Sequence, residues 1–214
     1  MDAQKNIDEV TARVQRSGVV AVLRAPTADA FAAVADVLIE AGVTALEVTL
    51  TSRGAIEALA GLRRRLPPEA VLGAGTVLTA DHAKAAVDAG ASFLVSPVLD
   101  ETLVGEAVVP FYPGAYTPTE VFRAVRAGAP IVKLFPAGGL GPRYLKDLNG
   151  PLPGVRIMPT GGIDLGDVAA WLTAGATAVG LGGPLLGDAA TGGSLSALAD
   201  RARRAVDAVA YARS

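Results

Sequence analysis

A closed parallel (β/α)8 barrel of the TIM type, an α/β fold carrying one extra N-terminal helix, is what this sequence predicts. Eight short apolar segments recur at fairly even intervals, each followed by an Ala-rich helical pattern or a helical turn. Several of those patterns end in Ala-Gly, which puts a glycine where a left-handed helix cap is wanted. No linker, low-complexity tract or charge run interrupts the chain, so residues 1–214 read as a single domain. An open doubly wound sheet is the alternative arrangement of the same elements.

The segment before Val19 predicts the extra helix. Strands follow at "VVAVLR" (19–24), "ALEVTL" (45–50), "VLGAGTV" (71–77) and "FLVSP" (93–97). The series continues with "VVPFYPG" (108–114), "IVKLFP" (131–136), "VRIMPTGG" (155–162) and "AVGLGG" (178–183). Apolar residues at helical spacing mark helices over 29–42, 55–66, 81–90, 118–128 and 167–175, with a last one over 194–214.

Composition excludes whole classes of chemistry. Hydrophobic residues make up 51% of the chain and aromatics only 5%, so a large core must be built from Ala, Val and Leu. A net charge of −2 offers no electrostatic footprint for nucleic acid or an anionic membrane. With no cysteine, disulfides, thiolate catalysis and cysteine metal sites are out. The polar start "MDAQKNIDEV" has no apolar signal core and no apolar run is long enough to span a bilayer, so a cytoplasmic protein is expected. The single histidine, His82, falls among the polar positions of its helix and reads as a solvated side chain. Any chemistry must therefore rest on Lys, Glu, Arg, Thr and backbone groups.

One lysine stands out. Lys133 lies inside the apolar run "IVKLFPAGG", a strand bounded by Pro130 and Pro136 and buried on both faces. Taking its ammonium out of water costs several kcal/mol. Either the side chain reaches the surface or a carboxylate, or burial favours a neutral amine able to attack a carbonyl. Strand parity sends Ile131, Lys133 and Phe135 toward the barrel axis, and Glu47, Thr49 and Thr51 of "ALEVTLT" with them. Lysine and glutamate then converge on one interior. A structural ion pair is one reading of this. A nucleophilic amine with a carboxylate proton shuttle is the other, since buried pairs rarely stabilise more than apolar packing does.

Glycine clusters supply the second element. "TGGID" (160–164) ends the seventh strand and "GLGG" (180–183) the eighth. Exposed amides after these two strands form the usual phosphate cradle of such barrels. Arg24, at the end of the first strand and so beside the eighth, adds a candidate charged contact, or else a surface arginine at a loop mouth.

Taken together, "LEVTL", "GAGTVL", the Ser-Pro pair at 96–97, "TPTE", "KLFPA" and "PTGGI" resemble, in order and spacing, the 2-keto-3-deoxy-6-phosphogluconate (KDPG) and 4-hydroxy-2-oxoglutarate aldolases. The resemblance runs from about Gly18 to Gly187. It implies a metal-free, cofactor-free homotrimer that cleaves a keto acid through a lysine imine. It also implies Lys133 as the imine lysine, Glu47 as acid and base, and Thr76 as the holder of the pyruvate carboxylate. Pro97, Phe135 and Thr160 would line the site, and Gly161, Gly162, Gly182 and Gly183 would form the phosphate loops. Three positions depart from the family pattern. Thr51 stands where many relatives have an anion-binding arginine, with Arg53 two residues on. Pro184 replaces a serine and offers neither hydroxyl nor N–H, and Val98 replaces a glycine. A phosphosugar isomerase or synthase on the same barrel, and a non-catalytic keto-acid-binding barrel, are the competing functions.

Overall fold

Alternation along eight parallel staves divides this protein's apolar residues into two cores, one inside a ring of strands and one outside it. In the computed structural model, which describes residues 3–214, helix α1 (Ala3–Ser17) leads into β1 (Val19–Leu23), α2 (Phe31–Glu40), β2 (Ala45–Thr49) and α3 (Ala55–Arg65). Next come β3 (Val71–Gly75), α4 (Ala80–Asp88), β4 (Phe93–Val95), α5 (Glu101–Glu106), β5 (Phe111–Tyr112) and β6 (Gly114–Ala115). The chain continues with α6 (Pro118–Arg126), β7 (Val132–Leu134), α7 (Gly141–Asn149), β8 (Ile157–Pro159) and α8 (Val168–Thr173). It ends with β9 (Val179–Leu181), α9 (Gly183–Leu186) and α10 (Leu195–Arg213). Met1 and Asp2, the head of the polar N-terminal segment, lie outside the described residues.

All strand pairs are parallel. A six-stranded sheet runs β5-β4-β3-β2-β1-β9 and a three-stranded sheet β6-β7-β8. Two joints close the ring. Around Pro113, β5 and β6 are successive pieces of one stave, and the Pro113 carbonyl accepts from the Lys133 amide at 2.9 Å. A bridge between Thr160 and Gly180 joins β8 to β9. The expected (β/α)8 barrel is therefore formed, with the fifth stave broken where the sequence suggested one strand over 108–114. A proline has no N–H for the ladder, so the break falls beside Pro113.

The inner core comprises Val20, Ala45, Val71, Phe93, Val95, Tyr112, Ile131, Met158 and Ala178, together with Val10 and Val14 of α1. These small and branched side chains fill the lower barrel, and α1 lies across that end as a plug. The rings of Phe93 and Tyr112, on the neighbouring strands β4 and β5, stack at 5.3 Å inside the barrel. Outward residues of the same strands, such as Ala21, Leu46, Leu72, Leu94 and Val132, meet the surrounding helices in the outer core. The Ala-Gly helix ends behave as the sequence suggests, with Gly42, Gly90, Gly128 and Gly175 all at φ between 95° and 105°. Helix α6 opens on a full capping box, in which the Thr117 hydroxyl accepts from the Glu120 amide and the Glu120 carboxylate accepts from the Thr117 amide. Thr117→Ala should lower the stability of the folded protein by about 1 kcal/mol in urea denaturation, because that cap is lost. No helix among the described residues is long and apolar enough to cross a membrane.

Candidate active site

Above the apolar fill, the inward positions change character. At one level of the barrel Val22 pairs with Glu47, Glu47 with Gly73 and Gly73 with Phe93, while across the ring Gly114 pairs with Lys133 and Lys133 with Met158. Beside these two residues, Gly73 makes room for the Phe93 ring and Gly114 for the Pro97 carbonyl. Glu47 is fully buried, and neither of its carboxylate oxygens has a hydrogen-bond partner. It fits there because of Gly75, where a Cβ would overlap the Glu47 carboxylate. Gly75→Ala should push that carboxylate aside and lower kcat while the fold survives. Circular dichroism beside turnover checks this, and an unchanged kcat would show that the carboxylate's position is not critical.

Lys133 is 3% exposed, and its amino group sits 5.0 Å from the centre of the Phe135 ring. The ring face supplies favourable electrostatics for a cation without neutralising it. No ion pair joins Lys133 to Glu47 or to any other carboxylate among the described residues. The two groups share a lumen but are not a structural salt bridge. Native proteins leave few buried polar atoms unpaired, and those that remain call for an explanation such as a catalytic role.

The amine opens into a cleft of about 390 Å³ at the C-terminal mouth of the barrel. Of the residues expected at the site, Arg24, Lys133, Phe135, Thr160, Gly161, Gly162, Gly182 and Gly183 all line it. Gly161 and Gly162 both take left-handed backbone, at φ 85° and 73°, and a Cβ on Gly161 would run into the Phe135 ring. Thr160 is buried and occupies the space that Gly180 leaves free. Glu47 lies outside the lining of this cleft. Pro97 lines a neighbouring hollow of about 230 Å³ that shares Phe135 as a wall. Thr76 follows directly on β3, where its hydroxyl accepts from Arg24 Nη2 at 3.2 Å. Its φ of 60° is a strained conformation for a β-branched residue, of the kind that gathers at functional sites.

Some expectations shift. Inward parity does not reach Thr51, because β2 stops at Thr49 and the chain turns; Thr51 is exposed there and donates to Thr49 Oγ1 at 3.3 Å. Pro184 and the apolar residues Val22, Ile163 and Leu186 join the cleft lining. Of these, Val22 was readable from parity with Val20, whereas Ile163 and Leu186 come from turns that carry no such signal. His82 is exposed on α4, as its pattern suggested. No group of three His, Cys, Asp or Glu that could hold a metal occurs among the described residues.

Comparison with known proteins places the chain in a family. Residues 10–194 match the KDPG and KHG aldolase family. The 2-dehydro-3-deoxy-6-phosphogalactonate aldolase of Escherichia coli strain K12 is 33% identical over 170 residues, which is 78% of this chain and 83% of that protein. A solved native KDPGal structure superposes with a TM-score of 0.85 at 32% identity, covering 91% of this chain and 95% of that one. A KDPG aldolase from Legionella pneumophila, solved with pyruvate captured at low pH as a covalent carbinolamine intermediate, superposes with a TM-score of 0.81 at 28% identity, covering 91% of this chain and 96% of that one. The chain belongs to the KDPG and KHG aldolase family.

Proposed function

We propose that this protein is a class I aldolase that cleaves a 2-keto-3-deoxy-6-phospho sugar acid of the KDPG type, or 4-hydroxy-2-oxoglutarate, to pyruvate and an aldehyde. The observation that carries the reading is the pair of unbridged buried groups, Lys133 on β7 and Glu47 on β2, inside one barrel mouth. Lys133, as the neutral amine, attacks the C2 ketone and loses water to give a protonated imine. That cation accepts the electrons of the breaking C3–C4 bond, so an enamine forms instead of a bare carbanion. Glu47, directly or through a water, takes the proton of the C4 hydroxyl as the aldehyde leaves, and moves protons during carbinolamine formation. Protonation of the enamine at C3 and hydrolysis of the imine release pyruvate and restore the amine. Thr76 orients the carboxylate, and Phe135, Pro97 and Thr160 shape the walls, which contributes positioning rather than bond chemistry.

No step calls on a metal or a cofactor, so retro-aldol activity should persist in chelator. Trimeric assembly and a cytoplasmic location are part of the same proposal; sedimentation velocity tests the first. The test of the function is a retro-aldol panel of phosphogluconate-type and phosphogalactonate-type substrates, their unphosphorylated analogues and 4-hydroxy-2-oxoglutarate. Turnover of none of these would sink the reading.

Selectivity for phosphate is expected to be blunted. Gly161, Gly162, Gly182 and Gly183 bring backbone to the far end of the cleft, yet Pro184 there supplies no donor and Thr51 no charge. A hydrogen bond to a charged group contributes about 1.5–3 kcal/mol, roughly one to two decades in affinity. Phosphorylated substrates should therefore be accepted with an advantage that widens by about that factor in a Pro184→Ser, Thr51→Arg double variant. The ratio of kcat/KM values for phosphorylated and unphosphorylated 2-keto-3-deoxy acids reads this out. An unchanged ratio would show that the glycine loops and Arg24 already suffice.

A further inference from the structure

We infer that Arg201, on α10 and outside the cleft, is a positioning residue for the phosphate end of the substrate, through the turn after β9 that it holds in place. The inference rests on the phosphorylated-substrate reading above and names a residue on which that end depends. Gly182, Gly183, Pro184, Leu186 and Gly187 line the far side of the cleft, and all five belong to this one turn, which winds through α9. Its internal bonds are few. The Leu185 and Leu186 amides donate to the Gly182 carbonyl at 3.0 and 2.9 Å, and the Gly187 amide to the Gly183 carbonyl at 2.8 Å. A helix of four residues leaves its last carbonyls without partners of its own and is not stable by itself. Arg201 supplies those partners from outside. Its Nε donates to the Leu185 carbonyl and its Nη2 to the Leu186 carbonyl, both at 2.7 Å. Two donors of one rigid planar fork on successive carbonyls fix the orientation of the turn as well as its position.

Two further observations support the assignment. Gly187 takes φ 55° and ψ −129°, a conformation that favours glycine, and a Cβ there would stand 2.6 Å from Arg201 Nη2. The guanidinium therefore comes up directly behind a residue of the cleft wall, at a position with no side chain to obstruct it. In addition, no Asp or Glu among the described residues forms an ion pair with Arg201, so its fork serves the turn and not a salt bridge. Asp188, next along the chain, closes the other side. Its carbonyl accepts from the Gly193 amide at 3.0 Å and its Oδ1 from the Ser194 amide at 3.2 Å, which ties the end of the turn to the start of α10. Pro184 offers no donor and Thr51 no charge, so holding a phosphate falls largely to backbone groups of the glycine loops. Backbone donors are placed only as well as the turn that carries them, and a misplacement of about 1 Å can cost on the order of 100-fold.

Substrates with and without the phosphate separate this role from general support of the fold. Arg201→Ala should raise KM for phosphorylated 2-keto-3-deoxy acids by about 10- to 100-fold, with a smaller effect on kcat. It should leave unchanged the kcat/KM of the unphosphorylated acids and the half-saturating pyruvate concentration in borohydride trapping. Arg201→Lys should recover only part of the loss, because a point donor restores the charge without the fork. Circular dichroism confirms that each variant is folded, and Arg201→Gln, which keeps one donor, carries the comparison should the alanine variant fold poorly. An equal loss for both substrate classes and for pyruvate would make Arg201 a general support, and an unchanged KM would make the turn self-sufficient. Either result would overturn the inference. A wild type that traps no pyruvate would instead overturn the aldolase reading. Titration of inorganic phosphate followed by phosphorus NMR would then still decide the arginine, with weaker binding to Arg201→Ala supporting the assignment and equal or absent binding rejecting it.

Discussion

Borohydride reduction in the presence of pyruvate will leave a three-carbon adduct on the peptide that carries Lys133, and Lys133→Arg will abolish turnover. The other three lysines have no comparable setting. Lys5 and Lys146 are exposed, and Lys84 is exposed and paired with Asp88, a contact that holds its ammonium above the usual range. Only Lys133 is buried against a ring face at the mouth of the barrel. A guanidinium stays protonated and cannot add to a ketone, so arginine keeps a cation and removes the chemistry. The loss should be on the order of 10⁶-fold, the scale seen when a covalent nucleophile is deleted. Because arginine is bulkier than lysine, Lys133→Met is the companion variant. It removes a buried polar group, keeps the length of the side chain, and should fold at least as stably as the wild type. An adduct on Lys84 or Lys146, or residual turnover in both variants, would defeat the assignment.

The convergence of Lys133 and Glu47 was legible because both lie near the middle of β-branched runs, where a period of two holds without interruption. Parity failed where strands stop. Thr51 stands two residues past the last residue of β2, and past that point the turn decides where a side chain points. Thr51 therefore remains at the rim, and Pro97 faces the hollow on the far side of Phe135.

Other features had no sequence signal. Helix α7 was not foreseen, because the glycines at 138, 139 and 141 mask its start and only Leu145 and Leu148 are buried along it. The left-handed Thr76 runs against the preference of a β-branched residue, so nothing in "GAGTV" announces it. Its partner Arg24 lies 52 positions away in the chain. Such a pairing exists only once three neighbouring staves are in register, and it is tertiary structure that turns a surface-looking arginine into a group at the site.

Glu47→Gln should lower turnover by roughly 10²–10⁴-fold, the range for losing a general acid–base group. The amide keeps the shape and the capacity to hydrogen-bond, so the change isolates proton transfer. Glu47 has no structural duty that would confuse the result, since neither of its oxygens is bonded to the protein. Burying a carboxylate with no donor costs free energy that a neutral side chain of similar size avoids. Glu47→Leu, facing Gly75 above a lumen fill of Val, Ala, Ile, Met and aromatic residues, is therefore expected to melt at a higher temperature than the wild type while being inactive. Gain of stability with loss of rate is the signature of a residue kept for chemistry against the interest of the fold. A destabilised Glu47→Leu protein, or a Glu47→Gln protein that turns over normally, would make this glutamate a structural element and leave the proton transfers to water.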